Sequence, residues 1–376
     1  MIAQMRVLVA PDKLKGSLTA KAAAEAMARG VERAGGSVIG VLPLADGGEG
    51  SLEALLAAWG GELRSARVKG ALGHEVVARL GLLEGGRTAL VESAEAIGLA
   101  RLSAHRDVLS ASSYGVGQLI RAALDAGVER VLIALGGSAT NDGGAGALQA
   151  LGLELVGAPC PVTARDLDRV TRLERGSVDP RLAKVEVVAL CDVSSPLTGP
   201  TGASLLFAAQ KGASADEARA LDRALARLAE LAGFAADTPG AGAAGGLGFG
   251  LAAFAGARLA PGADFVLDAV ELERRLRDAE LVLTAEGCLD AQTLQGKLVC
   301  RLGERCQRAG VPVIAFAGRV AVEAALLAEH GLIAAFPLAD GPMTEAESVA
   351  RAGELLAGAV ERVLALSARL RRTEHA

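Results

Sequence analysis

The sequence predicts an α/β protein: two α/β domains, an outer flavodoxin-like (Rossmann-like) parallel sheet with a second α/β domain inserted in it. Three observations predict this. Apolar strand-like runs alternate with helical patterns along the chain, the signature of parallel sheets with crossover helices. Two of those runs lie before residue 45 and three lie after residue 280, enough for one five-stranded sheet split in sequence. The stretch between them supplies its own strands and helices.

In chain order, the runs at 5–10, 38–44, 76–83, 87–92, 130–135, 184–190, 281–285, 311–317 and 332–338 read as strands. The pair at 76–92 reads as a hairpin. Helical patterns occupy 19–34, 50–59, 112–126, 144–151, 215–232, 268–278, 297–309, 320–330 and 345–366. Ser214 with Glu217, and Thr344 with Glu347, have the spacing of capping boxes that start two of these helices. The expected division is residues 1–65 plus 271–376 for the outer domain and 66–270 for the inserted one, which carries the glycine-rich loops. If the outer sheet has order 2-1-3-4-5, its switch point falls between the strands at 5–10 and 281–285. Ligand groups are then expected just after them, in Pro11-Asp12-Lys13-Leu14-Lys15-Gly16-Ser17 and Glu286-Gly287-Cys288-Leu289-Asp290.

The 376 residues exceed what one core usually organises. With 22% charged residues and a net charge of -5, no basic face is offered to nucleic acid, so small molecules are the expected partners. The N-terminus enters the apolar run Arg6-Val7-Leu8-Val9-Ala10 without a basic region or cleavage site, which predicts no export and a cytoplasmic location. The uncharged stretch from Thr238 to Ala257 is mostly Gly and Ala, and reads as a glycine-rich loop and buried helix, with no membrane association. The five cysteines lack paired CxxC spacing, and the four histidines make no metal or triad pattern.

The most informative stretch is Arg130 to Gly152. Val131, Leu132, Ile133, Ala134 and Leu135 read as a buried parallel strand that empties into Gly136, Gly137, Ser138, Thr140, Asn141, Asp142, Gly143 and Gly144 before a helix resumes. Backbone N–H groups in such a loop, running into a helix start, attract anions, and phosphate is the usual one. The alternative is a plain turn between strand and helix. Asp46-Gly47-Gly48-Glu49-Gly50 ends the second strand with two carboxylates and three glycines, suited to a metal-phosphate site or to a helix-capping turn. Asp192 follows the strand at 184–190, as a candidate ligand or a strand-end turn residue. Gln210-Lys211-Gly212 offers a cation for a phosphate or a solvated helix end. Gly240-Ala241-Gly242-Ala243-Ala244-Gly245 matches GxGxxG, but no strand precedes it, so a dinucleotide-binding dehydrogenase is poorly supported.

Several segments together resemble the type I glycerate kinase family, the bacterial glycerate 2-kinases. They are Ala10 to Leu18, Pro43 to Gly50, the Gly136 to Gly144 loop, Pro196-Leu197-Thr198-Gly199-Pro200, Gln210-Lys211-Gly212-Ala213 and the Pro239 to Gly246 loop. Leu289-Asp290-Ala291-Gln292-Thr293 with Gly296-Lys297 completes the series, in family order across nearly the whole chain. The resemblance implies ATP-dependent phosphorylation of D-glycerate with Mg2+, on two α/β domains with the site between them. It favours O2 as the acceptor, giving 2-phosphoglycerate, with 3-phosphoglycerate as the alternative product. A homodimer is the expected assembly. Where the family reads Gly-Glu-Gly-Arg, this chain has Ala285-Glu286-Gly287-Cys288, which removes a guanidinium able to grip a carboxylate or phosphate with two bonds. Its Gly-Pro before Gln-Lys-Gly is Ala208-Ala209 here.

Phosphoryl transfer asks a protein for alignment, charge neutralisation and guidance of one proton. On this resemblance Gly136, Gly137, Ser138, Thr140, Gly143 and Gly144 are expected to cradle the ATP phosphates, and Lys15 to neutralise the transferring group. Asp46 and Asp192 are the expected Mg2+ ligands, directly or through water. Asp290 is expected to accept the hydroxyl proton with Glu286 orienting it, and Arg319 or Lys297 to replace the cation missing at residue 288. The competing expectation is an inactive sugar-acid sensor on the same fold.

Overall fold

The computed structural model describes residues 5–102, 106–291, 293–295 and 297–374, so Gln292 and Gly296 of the sequence motif lie outside the described residues. The chain forms two compact units: residues 1–46, 53–58 and 263–376, and residues 47–52 and 59–262.

The first unit is built on a five-stranded, wholly parallel sheet whose strands are Arg6–Val9, Ser37–Val41, Leu281–Leu289, Val313–Val320 and Leu332–Pro337. Numbered within the unit, their spatial order is 2-1-3-4-5, the flavodoxin-like order expected from the sequence. Val7, Leu8 and Val9 are at most 1% exposed, because helices cover both faces of a parallel sheet and no alternating polar face is needed. The helix Ala20–Arg33 starts where the Thr19 hydroxyl accepts the Ala22 amide, and it buries Ala23, Ala24, Met27 and Val31 in the same core as Leu355, Leu356, Ala359 and Val360. Gly30 permits the close approach, since a Cβ there would lie 2.4 Å from the Ala357 carbonyl oxygen.

The second unit holds a six-stranded sheet in the order Arg258–Ala260, Glu186–Leu190, Arg130–Ala134, Thr88–Glu92, Glu75–Leu83 and Gly61–Lys69. The first four strands are parallel and the last two antiparallel. Val131, Leu132, Ile133 and Ala134 are fully buried at its centre. The helix Ala215–Ala232 begins at the Ser214–Glu217 capping box, and the glycine-rich stretch contains the buried helix Ala243–Ala255.

Four expectations need correction. The strand at 76–83 pairs with 87–92, but it also pairs along its whole length with Gly61–Lys69, an edge strand whose mostly exposed, charged residues hid it. Residues 320–330 are not one helix. Cys288 and Leu289 pair with Arg319 and Val320, so both strands run past their expected ends, and a helix begins only at Ala324. The helix expected over 268–278 is two, Gly262–Ala269 and Leu272–Leu276, broken where Glu271 takes φ +53°. The helix expected over 345–366 is likewise split, into Glu345–Ala350 and Ala352–Glu374.

Candidate active site

In the first unit, the polar segments after the first and third sheet strands meet at the switch point. The Asp12 amide donates to the Ala285 carbonyl at 2.9 Å, and the Thr284 hydroxyl donates to the Ala10 carbonyl at 2.8 Å, which lashes the two strand ends together. Asp12 is 6% exposed and accepts the Lys13 amide at 2.6 Å. The Lys13 Nζ lies 3.9 Å from Asp12 and 3.6 Å from Asp46, and Lys297 Nζ lies 3.7 Å from Glu286 Oε1. Glu286 Oε2 is buried and has no hydrogen-bond partner among the described residues.

Crowding acids into one buried place raises their proton affinity. Burial pushes Asp12 up to about 7; Lys13 and Lys297 oppose the shift while Asp46 adds to it. Burial also pushes Glu286 up to about 7, opposed by Lys297 and reinforced by Asp12, Asp46 and Asp290. The cluster thus holds carboxyls that exchange protons near neutrality, facing two lysines.

The expected site residues of this unit fall as follows. Lys15 is exposed, in the turn closed by the Leu14–Leu18 bridge, and its backbone lies beside Gly287. Asp290 closes a turn, with its Oδ1 accepting the Thr293 amide at 3.3 Å and its Oδ2 3.9 Å from the Cys288 sulfur. Arg319 stands directly across from Cys288 on the neighbouring strand, so both side chains leave the same sheet face. Burial and Asp290 raise the Cys288 thiol, and the Arg319 charge opposes them. Asp12 and Lys13, at the centre of the cluster, were not singled out from the sequence. With Lys13 and Lys15 two residues apart, only the turn geometry tells which one points among the acids.

In the second unit, the Gly136–Gly144 loop follows the strand Arg130–Ala134. Gly137, at φ +80°, is exposed at its start, whereas Thr140, Asn141 and Asp142 are fully buried. Asp142 Oδ2 accepts the Ser113 amide and hydroxyl at 2.7 and 2.8 Å and the Gly146 amide at 3.2 Å, while Oδ1 accepts the Gly144 amide at 3.2 Å. Burial outweighs these bonds and raises its proton affinity. The Gly143 amide donates to the Gly245 carbonyl at 3.0 Å. The amides of Gly143 and Gly144 are thus engaged within the protein, the Gly136 amide donates to the Gly47 carbonyl at 3.4 Å, and Ser138 is buried, so Gly137 is the exposed residue of the expected cradle. Asp192 lies just past the strand Glu186–Leu190, in the second unit, whereas Asp46 belongs to the first. Among the described residues no three His, Cys, Asp or Glu side chains form a ready metal cage.

Lys211 is 4% exposed, not solvated, and its Nζ donates to the Thr140 carbonyl at 2.7 Å. The GxGxxG stretch has no strand before it and packs against the loop. Ala244, Gly245 and Gly246 all take positive φ, and a Cβ at Gly245 would lie 2.0 Å from the Thr140 oxygen. It is a clasp on the loop rather than the start of a dinucleotide fold.

Parallel sheets with acids and lysines gathered at a switch point, and a glycine-rich loop after a central strand, define an α/β protein that offers ligand groups at the carboxyl ends of its strands. The family model described as "Glycerate kinase family" matches residues 7–368. A glycerate kinase of Halalkalibacterium halodurans is 40% identical over 371 residues, covering 96% of this chain and 98% of the relative. The glycerate 2-kinase of Escherichia coli is 40% identical over 342 residues, covering 88% and 90%. A crystal structure from Salmonella typhimurium LT2, described as "putative glycerate kinase 2", superposes with a TM-score of 0.82 at 39% identity, covering all of both chains. The chain belongs to the glycerate kinase family, and it is a kinase by that membership. Among the described residues no helix is long and apolar enough to cross a membrane.

Proposed function

We propose that this protein transfers the terminal phosphoryl group of ATP to O2 of D-glycerate, giving 2-phosphoglycerate, with Mg2+ as the metal. The observation that carries the reading is the group formed at the switch point by buried Asp12, half-buried Glu286 and the partly exposed Lys13 and Lys297, in a chain whose relatives are named for this reaction. In the second unit the exposed Gly137, with Gly136 and Ser138 beside it, is the part of the loop suited to the ATP phosphates, and in the first unit Lys15 is the exposed cation suited to the transferring group. Arg319, across from Cys288, takes the glycerate carboxylate in place of the missing arginine. Lys297 is already paired with Glu286 and holds that carboxylate. Glu286 suits the proton acceptor better than Asp290. Its Oε2 is unpartnered and it titrates near neutrality, whereas Asp290 is committed to a turn.

Mg2+ fits the donors present, because Asp12 and Asp46 lie 3.9 and 3.6 Å from Lys13 Nζ, and neighbouring carboxylate oxygens are the hard donors this cation prefers. Asp46 would hold it, directly or through water, and it would neutralise phosphate charge. Retention of this acidic set disfavours the inactive-sensor alternative, as do relatives named as kinases. A homodimer and a cytoplasmic location complete the proposal. A coupled assay tests it: ADP release that needs both D-glycerate and Mg2+ is expected, and ADP release indifferent to glycerate would overturn it.

A further inference from the structure

Lys211 has no assigned part in the chemistry, yet its placement is unusual. Its ammonium is buried, hydrogen-bonded at 2.7 Å to the Thr140 carbonyl, in the middle of the loop assigned to ATP. Its own turn is anchored from behind. The Arg106 guanidinium donates to the Gln210 carbonyl at 2.9 Å, and Gly212 lies so close to Arg106 that a Cβ would come 2.3 Å from the Arg106 carbonyl oxygen. Around the loop, Asn141 Nδ2 donates to Ser204 Oγ at 2.8 Å, while Thr140 Oγ1 and Asn141 Oδ1 are buried without partners among the described residues. Two residues on, Asp142 binds the Ser113, Gly144 and Gly146 amides. One buried cation therefore holds a carbonyl of the loop, and one buried anion holds amides that follow it.

We propose that Lys211 is a positioning residue for nucleotide binding: its buried ammonium, fixed on the Thr140 carbonyl opposite the Asp142 carboxylate, holds the loop in the shape that receives the ATP phosphates. Burying an ammonium is costly, and desolvation lowers Lys211 to about 8, with Asp142 opposing that shift. An apolar side chain of similar length would avoid this cost, so a purely packing role does not explain a lysine here. A loop that must keep its amides aimed at an anion benefits from being fixed before the ligand arrives. This inference rests on the reading that the Gly136–Gly144 loop takes ATP.

The test compares Lys211→Met, Lys211→Gln and Gly137→Val in the full-length protein by steady-state kinetics and thermal melting. Lys211→Met keeps the stem and removes the charge, and is expected to raise the ATP KM at least tenfold while the glycerate KM stays within twofold. Lys211→Gln, which keeps a donor for the Thr140 carbonyl, is expected to fall between Lys211→Met and the parent protein. An unchanged ATP KM in folded Lys211→Met, or equal rises in both KM values, overturns the proposal. Failure of both Lys211 variants to fold overturns it too, since the residue then serves stability alone. Gly137→Val separates the two readings. If it raises the ATP KM and Lys211→Met does not, only the role of Lys211 falls; if neither does, the loop itself is not the ATP site.

Discussion

Asp12→Asn is expected to stabilise the protein at neutral and alkaline pH. Asp12 is 6% exposed and held at about 7, against 3.8 for a solvated aspartate. At ~1.4 kcal/mol for each pH unit, ionising it in the folded chain costs about 4 kcal/mol. Relaxation of the neighbouring acids brings the expected gain from the neutral, similarly shaped asparagine to roughly 2–4 kcal/mol. The sign follows from which state holds the proton. Below pH 4 the carboxyl is protonated in both folded and unfolded chains, and the substitution changes little. Between pH 4 and 7 the unfolded chain releases its proton first, so the parent protein loses stability as pH rises; above 7 the full difference is present. Melting curves of both proteins at half-unit steps from pH 4.5 to 9 are the assay. The two Tm profiles should coincide at the acid end and diverge towards pH 7, with the asparagine variant higher. Parallel profiles, or a variant less stable at pH 8, would refute the claim that burial controls the protonation of Asp12.

Three further outcomes are expected. Gly245→Ala should lower stability by about 2–4 kcal/mol in urea unfolding, because residue 245 has φ +68° and a Cβ would strike the Thr140 oxygen at 2.0 Å; a cost below ~1 kcal/mol would show that the clasp can yield. Arg319→Ala should weaken glycerate binding by about 1.5–3 kcal/mol, roughly 10- to 150-fold in KM, leave the ATP KM unchanged, and be relieved by Cys288→Arg. No change in glycerate KM in either background would take both positions out of the substrate pocket. Lys15→Ala should lower kcat by roughly 30- to 1,000-fold, the equivalent of 2–4 kcal/mol. Its Tm should hardly move, because the side chain is exposed, and parent-like turnover would remove Lys15 from the site.

The parallel sheets were legible because burial on both faces writes itself as continuous apolar runs, as in Val131 to Leu135 and Val7 to Ala10. The count of such runs outside the middle segment gives the five strands; their 2-1-3-4-5 order is carried over from the flavodoxin-like class, and the sheet has it. The strand Gly61–Lys69 was not legible, because an exposed edge carries Glu62, Arg64, Arg67 and Lys69 and has no apolar periodicity. The candidate site was legible as segments, not as side chains. Glycines and acids after strand ends marked where ligands go, but the choice of Lys13 over Lys15 for the acid cluster is made by a turn bridged from Leu14 to Leu18. The burial of Lys211 was equally hidden, since its partner is a backbone carbonyl 71 residues away. A backbone partner leaves no mark in residue types.

The most direct test of the central claim is the product. Incubating the protein with ATP, Mg2+ and D-glycerate, and recording proton-coupled 31P spectra, reads the acceptor oxygen from the splitting. A phosphate on O2 is coupled to the single proton on C2 and gives a doublet, which is the expected result. A triplet from the two protons on C3 would place the phosphate on O3 and overturn the O2 assignment, and glycerate recovered without phosphate while ATP remains intact would contradict the proposed kinase activity itself.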